Sequence, residues 1–428
     1  MSWCDVKLKD ICSLVTSGGT PLRSVSEYYE GGTIPWMKTG EVKRGLVFET
    51  EEYITERALK ESSAKLIPIN SLIVAMYGDG VTAGNIAINK IPLATNQACC
   101  NFVVDPEKAF YKFIYYYLKA SYSNLVGLKL GGSQQNLNAK SLKEFPLRMP
   151  ELAVQKKIAS TLSVYDDLIE NNRRRIELLE QMAEELYREW FVRFRFPGYQ
   201  QVSLEKGIPR GWKLVKLADA FNYMGGGTPA KEVARYWNEG TVNWFTPSDI
   251  TASKGIFLNN SSDRCTDEGL ANSSAKMFPA YSVMMTSRAT IGAIGINLTP
   301  ACTNQGFISC IPNENYPLAY LYHWLKLSKP HFECLSTGAT FPELTKGVFK
   351  KIEILTPPKG LVGRFENLAT PFFKEIESLQ RANAELESTR SLLLTRLISG
   401  KLPVDQLDIQ FPPSMREADA ARQEVAHA

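Results

Sequence analysis

Several signals that would assign a function at once are missing from this 428-residue chain. No apolar run approaches 18 residues, so nothing reads as a membrane-spanning helix. The opening residues MSWCDVKLKD carry no secretory-signal pattern. The eight cysteines are scattered, with one adjacent pair (Cys99, Cys100) and no C-x-x-C spacing. That predicts reduced thiols in a cytoplasm, not a disulfide framework or a zinc site. Only three histidines occur, His323, His331 and His427, and none accompanies a recognisable nucleophile. His323 lies in an aromatic helical run and reads as structural. Net charge is only +4, so nucleic-acid binding would have to come from local patches or a partner.

Catalytic motifs are also lacking. An adenine methyltransferase needs an [Asn/Asp]-Pro-Pro-[Tyr/Phe] loop. The nearest string, Thr356-Pro357-Pro358-Lys359, has neither the amide or acid nor the stacking aromatic, and reads as a linker. Asp105-Pro106-Glu107-Lys108 has the residue types of a nuclease centre at the wrong spacing, and fits a turn leading into a helix. Gly225-Gly226-Gly227-Thr228-Pro229-Ala230-Lys231 lacks the second glycine and the hydroxyl of a phosphate-binding loop. No catalytic residue, metal ligand or cofactor site is expected in the chain.

What the sequence does have is a long helix and its copy. Between Glu151 and Arg195, Ile158, Leu162, Tyr165, Ile169, Asn172, Ile176, Leu179, Ala183, Leu186 and Trp190 recur at alternating steps of four and three, without Gly or Pro. This is a heptad seam with one strongly polar member, Asn172. Moving 207 positions on gives Phe365, Ala369, Phe372, Ile376, Leu379, Asn383, Leu386, Arg390, Leu393 and Leu397, in the same register. About 38 helical residues at 1.5 Å span roughly 57 Å. A narrow seam of that length needs a partner, and the copy supplies one.

The segments before the helices repeat as well. Trp3–Leu8 matches Trp212–Leu217, Gly18-Gly19-Thr20-Pro21 matches Gly226-Gly227-Thr228-Pro229, Trp36 matches Trp244, and Thr95-Asn96-Gln97 matches Thr303-Asn304-Gln305. Strand-like runs (Ser71–Met76, Asn85–Ile88, Asn101–Val104) and a helical stretch from Pro106 to Ser121 give each unit a mixed α/β (α+β) character. Tyr115, Tyr116 and Tyr117 could stack bases, but at helical spacing they read as core. The expected plan is a globular domain over 1–150, a long helix over 151–196, a second domain over 197–357, a second helix over 358–402 and a loosely held extension over 403–428. The helices are expected to pair antiparallel. That direction sets Asn172 against Asn383, where the amides can bond each other, and Tyr165 against Arg390. Parallel pairing would leave each amide facing an aliphatic side chain.

The wording of Leu186–Gly198 (LYREWFVRFRFPG), the repeated Gly-Thr-Pro and Thr-Asn-Gln elements and the passage from Pro146–Pro150 through Gln155–Ile158 resemble the specificity (S) subunit of type I restriction–modification enzymes. The second helix departs from the pattern, with Leu392–Gly400 (LLLTRLISG) in place of the aromatic ending. The resemblance implies two target-recognition domains, each reading one half of a bipartite double-stranded DNA site, and spacer helices that dock two methyltransferase (M) subunits. Restriction (R) subunits complete the nuclease. S-adenosylmethionine, ATP and Mg would belong to those partners, in a bacterial or archaeal cytoplasm. The rival readings are a fused single-chain methyltransferase or nuclease and a coiled-coil adaptor that binds only proteins.

If the two units read different sequences, residues identical in both are scaffold or phosphate contacts, and divergent loop residues are specificity candidates. Three loop pairs diverge. Lys38, Thr39 and Glu41 oppose Thr246, Ser248 and Asp249. Tyr77 and Asp79 oppose Arg288 and Thr290. Ser133, Gln134, Gln135 and Asn136 oppose Thr340 and Phe341. Gln and Asn can bond adenine bidentately, Arg can bond guanine, and an aromatic ring can touch a thymine methyl.

Overall fold

The computed structural model describes residues 3–78, 82–128, 136–338, 342–412 and 415. Its contacts divide the chain into two units, Met1–Ile169 with Glu385–Ala428, and Glu170–Ala384. The first unit contains β1 (Cys12–Ser17), β2 (Ile34–Met37), β3 (Glu52–Ile54), β4 (Leu72–Ala75), β5 (Ile86–Asn89), β6 (Leu93–Thr95), β7 (Cys99–Val104) and helix α1 (Tyr111–Ala120). Helix α2 (Leu152–Tyr187) passes from the first unit into the second. The second unit contains β8 (Tyr223–Gly225), β9 (Val242–Phe245), β10 (Asp263–Cys265), β11 (Val283–Thr286), β12 (Ile294–Asn297), β13 (Ala301–Thr303), β14 (Phe307–Cys310) and α3 (Leu318–Leu327). Helix α4 (Lys359–Ile398) leads back to the first.

The two units share one topology. A five-stranded sheet runs β1-β7-β4-β5 in the first unit and β8-β14-β11-β12 in the second, each finished by a two-residue strand. A smaller sheet has β2 between antiparallel β3 and parallel β6, and β9 likewise between β10 and β13. The central strands are buried on both faces, which is why they read as unbroken apolar runs. The duplicated Trp-x-x-Val-Lys-Leu segment is an entry strand. Cys4–Lys7 pairs with Pro146–Met149, and Lys213–Lys216 with Glu353–Thr356, so each globular part closes on its own last strand.

Helix α1 begins at Tyr111, five residues later than the sequence suggests, because a turn at Asp105 comes first and the Gln155 Oε1 of α2 caps its end by accepting from Phe110 N at 3.0 Å. Glu366 of α4 does the same for α3, accepting from Ala319 N at 3.1 Å. Tyr115 and Tyr116 are 4% and 2% exposed and belong to the core.

The long helices pair antiparallel. In the second unit Asn172 Nδ2 donates to Asn383 Oδ1 at 2.9 Å, and Arg175 pairs with Glu375 at 2.7 Å. In the first, Arg390 pairs with Asp166, which also accepts from the Tyr116 hydroxyl. The seam register sets Tyr165, one position away, against Arg390. The guanidinium bonds instead a carboxylate that is itself only 20% exposed, where charge pairing outweighs contact with an aromatic face. The seam also merges with the globular cores. Ile158, Leu162 and Leu397 join one apolar cluster with Leu8 and Phe113, and Trp190, Phe365 and Ile376 join another with Tyr320 and Phe349.

Beyond Tyr187 the backbone widens into a π turn (Arg188–Val192) and stops at Phe194, whose φ is +58°. The described residues directly after α4, up to residue 412, pack on the first unit instead of hanging free. Val404 is 3% exposed, Leu402, Ile409 and Phe411 pack on the first core, Lys157 Nζ donates to Asp405 O at 2.6 Å, and Ser160 Oγ to Gln410 O at 3.0 Å. The apolar spacing of that tail was legible but its target was not. Gly400 lies against Trp3, whose counterpart Trp212 is covered by Phe194 and Phe196.

Candidate nucleic-acid interface

One edge of each unit gathers the described residues of the divergent loops. Because β2 and β6 are parallel, their C-terminal ends share an edge; β4 runs antiparallel to β7 with Ala75 opposite Cys99, so its end lies there too. The Thr-Asn-Gln turn joins β6 to β7 at the centre of this edge. Asn96 N donates to Met37 O at 3.0 Å, Thr39 lies 3.1 Å from the Asn96 side chain, and Met76 N donates to Ala98 O at 2.7 Å. Leu137 N donates to Met76 O at 3.1 Å, which draws Asn136 to the same place as Tyr77. The second unit repeats the arrangement: Asn304 N to Phe245 O at 3.0 Å, Ser287 N to Gly306 O at 2.7 Å and Leu344 N to Ser287 O at 2.9 Å.

The duplicated motifs are the frame of this edge. Gly19 N donates to Thr95 O and Gly227 N to Thr303 O, at 2.8 and 2.9 Å. Trp36 Nε1 donates to Gly19 O and Trp244 Nε1 to Gly227 O, at 3.0 and 2.8 Å. Thr20 bonds Gln97, and Thr228 bonds Gln305 at 2.7 Å. The backbone approach is too close for a side chain: a Cβ on Gly18 would sit 2.1 Å from Asn96 O, and one on Gly226 1.9 Å from Asn304 O.

Two candidates at the edge prove to be part of this frame. Glu41 is 3% exposed, and its carboxylate accepts from Lys38 N at 2.9 Å and Glu51 N at 3.1 Å. Asp249 accepts from Thr246 N at 2.7 Å, Thr246 Oγ1 at 2.8 Å and both Ser262 N and Oγ. These donors hold the Asp249 carboxyl below its usual range against the opposing effect of burial. Both acids cap the turn that follows the strand, and their lone pairs are spent on it. Thr246, the N-cap residue of that turn, belongs with them. Thr39 is buried, and Lys38 Nζ bonds Glu52 at 2.7 Å.

The side chains left at the edge are Tyr77 (39% exposed), half-buried Asn136, and exposed Ser248, Arg288 and Thr290. Arg288 Nε donates to Glu343 Oε1 at 2.9 Å, and Ala289 N to Pro342 O at 3.0 Å, so the second and third loops of this unit are tied together. Asp79, Ser133, Gln134, Gln135, Thr340 and Phe341 lie outside the described residues.

A further pair of side chains escaped the sequence reading. Arg23 and Lys231 follow the Gly-Gly-Thr-Pro repeat at the same spacing. The Arg23 guanidinium lies 4.5 Å from the Tyr29 ring centre and 4.9 Å from Trp36. The Lys231 ammonium lies 3.8 Å from Trp237 and 4.5 Å from Trp244. Each cation pairs with an acid, Glu52 at 2.6 Å and Asp263 at 2.8 Å. In the sheets Glu52 stands opposite Trp36, and Asp263 opposite Trp244. The 208-residue offset of the cations and tryptophans was the available signal; the acids are 211 apart, which hid their equivalence.

Nothing resembling a catalytic centre forms from the strings weighed above. Thr356 ends a strand and bonds Tyr316, Asp105 caps a turn, and His323 is 2% exposed with Nδ1 2.8 Å from Ala319 O. Among the described residues no group of three His, Cys, Asp or Glu could hold a metal, and no helix is long and apolar enough to cross a membrane.

Comparison with known proteins agrees with the internal duplication. The specificity subunit of the MjaIX type I restriction enzyme of Methanocaldococcus jannaschii is 28% identical over 421 residues, covering 95% of this chain and 94% of that one. The HindI specificity subunit of Haemophilus influenzae is 24% identical over 343 residues, covering 66% and 74%. The crystal structure of a type I restriction–modification S subunit from M. genitalium has the same fold, with a TM-score of 0.58 and 18% identity over 92% of this chain and 96% of that one. The type I restriction modification DNA specificity domain matches twice, at residues 2–181 and 209–387. Those two segments span most of the length and follow the internal repeat, so the chain belongs to the type I restriction–modification DNA specificity family.

Proposed function

We propose that this chain is the non-catalytic subunit that reads a bipartite site in double-stranded DNA, each unit taking one half-site through the loop edge described above. The observation that carries the reading is the contrast within that edge. Its frame is the same in both units, down to the Trp–Gly and Thr–Gln bonds, while its exposed side chains differ: Tyr77 and Asn136 in one, Ser248, Arg288 and Thr290 in the other. A constant frame with variable projecting groups suits two half-sites of different sequence. Two M subunits, bound to the charged outer faces of α2 and α4, would supply S-adenosylmethionine and methylate adenine, one strand in each half-site. R subunits with ATP and Mg would add restriction. The family match supports neither a fused methyltransferase–nuclease nor a protein-only adaptor.

Single-molecule sequencing of modified adenine in the host tests this. A bipartite methylated motif disappears when the gene is deleted and returns with the gene on a plasmid. With Arg288→Ala the motif relaxes in one half only. If deletion removes no bipartite motif, the proposal fails; if Arg288→Ala leaves the motif unchanged, Arg288 is not a base contact.

A further inference from the structure

We propose that Arg23 and Lys231 form a phosphodiester-binding site in each unit, gripping the DNA backbone in the same way whatever the half-site sequence. This rests on the DNA-reading role proposed above. The argument begins with what the repeat retains. The two units differ at most exposed positions near the edge, yet both keep a cation, two aromatic rings beneath it and an acid opposite the tryptophan. Two units with different half-sites have the sugar–phosphate backbone in common.

The geometry suits that ligand. Each cationic side chain is 52% exposed, with the charged group itself held over the rings. A side chain already ordered on an aromatic platform loses little freedom when an anion binds. Each site adjoins the loop edge. Glu52 also binds Lys38 Nζ at 2.7 Å, at the start of the first loop, and Ser262, next to Asp263, is fixed by Asp249 of the corresponding loop. The carboxylates hold the cations in place without DNA. Surface ion pairs of this kind contribute little in water, so a backbone phosphate, which carries the same single charge and whose binding also releases counterions from the duplex, can compete for the cations. The chemistry of Arg and Lys differs, but a single phosphate needs only the charge.

The test uses the full chain assembled with its M subunits. Anisotropy is measured on a duplex carrying the methylated motif and on a scrambled duplex, over a series of salt concentrations. Arg23→Gln and Lys231→Gln should each weaken binding to both duplexes by the same factor, about fivefold near 0.15 M salt, and lower the salt slope by about 0.9. Arg23→Lys and Lys231→Arg should retain the wild-type slope, which a merely structural cation–ring contact would not require. Asp263→Asn should tighten binding to both duplexes by removing a competing negative charge. The proposal is overturned if the Gln variants keep the wild-type slope and affinity, if they alter only motif preference, or if Asp263→Asn leaves affinity unchanged or weaker. A wild-type complex that does not distinguish the two duplexes would instead refute the DNA-reading role.

Discussion

The Asn172–Asn383 layer gives a sharp test of how the helix pair is specified. Asn172 is 9% exposed, and its amide donates to Asn383 at 2.9 Å within a seam otherwise lined by Ile169, Ile176, Ile376 and Leu379. Replacing Asn172 by Leu leaves the Asn383 amide facing an aliphatic chain, at a cost of roughly 1–3 kcal/mol for the stranded polar group. Asn383→Leu has the same consequence from the other side. Replacing both strands nothing and adds apolar contact, so the double variant should be at least as stable as wild type. The two single effects should therefore fail to add by at least about 1 kcal/mol. Urea unfolding of the four proteins measures this. Tryptophan fluorescence favours the relevant transition, because Trp190, Trp212, Trp237, Trp244 and Trp324 share the second unit with both asparagines. Single substitutions that are neutral, or a double that is simply the sum, would show that the amides do not act as a pair, and the account of helix direction would fall with it.

Burial pushes the His323 imidazole down to about 4; nearby Lys326 and Arg188 act in the same direction, and the bond to Ala319 O and Glu184 oppose them. The unfolded chain takes up a proton near pH 6.5 that the folded chain refuses until about 4, so stability is full above that window and falls as pH drops through it. Between about pH 8 and pH 5 wild type should lose about 2 kcal/mol more than His323→Phe, measured by urea unfolding at both pH values; equal losses would refute the assignment. Gly18→Ala forces a Cβ to within 2.1 Å of backbone that is pinned by the Gly19–Thr95 bond. It should destabilise the first unit by about 3 kcal/mol or more, whereas Gly40→Ala, with open space around it, should stay within about 0.5 kcal/mol by the same measure.

The features legible in the sequence were those with a period or a copy. The heptad seam announced the helices, and the two asparagines, related by symmetry about its midpoint, indicated their direction. What escaped was fixed by reach and by local hydrogen bonding. Glu41 and Asp249 fell in divergent loops because one is a Glu and the other an Asp, although both cap the same turn. Thr246-Pro247-Ser248-Asp249 does carry the sequence form of a capping box with Pro at its start, so that half could have been read. Lys38-Thr39-Gly40-Glu41 carries no such sign, since lysine is not a usual cap. Arg390 bonds Asp166 of the facing helix because a guanidinium on a flexible stem chooses its partner from several within reach. The tail after α4 reads as loosely held because it is Pro-containing and then Ala- and charge-rich; only the fold shows the core that Leu402, Val404, Ile409 and Phe411 cover.

Duplication poses a difficulty that the two units resolve chemically. Helices α1 and α3 occupy equivalent places against the long helices, and either could in principle dock on the other's half. The contacts differ in kind. Tyr116 of α1 meets Ser163 and the Asp166–Arg390 ion pair, whereas His323, 207 positions later, stacks on Tyr187 with Phe365 and Phe373 around it. Exchanging the two helices would set His323 against the ion pair and take the Tyr116 hydroxyl away from the Asp166 carboxylate that it bonds. An unpaired buried hydroxyl costs about 1–3 kcal/mol, on top of the ion-pair bond lost. A penalty on the wrong pairing is what distinguishes two near-copies of one fold. The frame of the reading edge can therefore stay identical in both units, because the information that keeps each unit on its own helix half is written at the helix contacts instead.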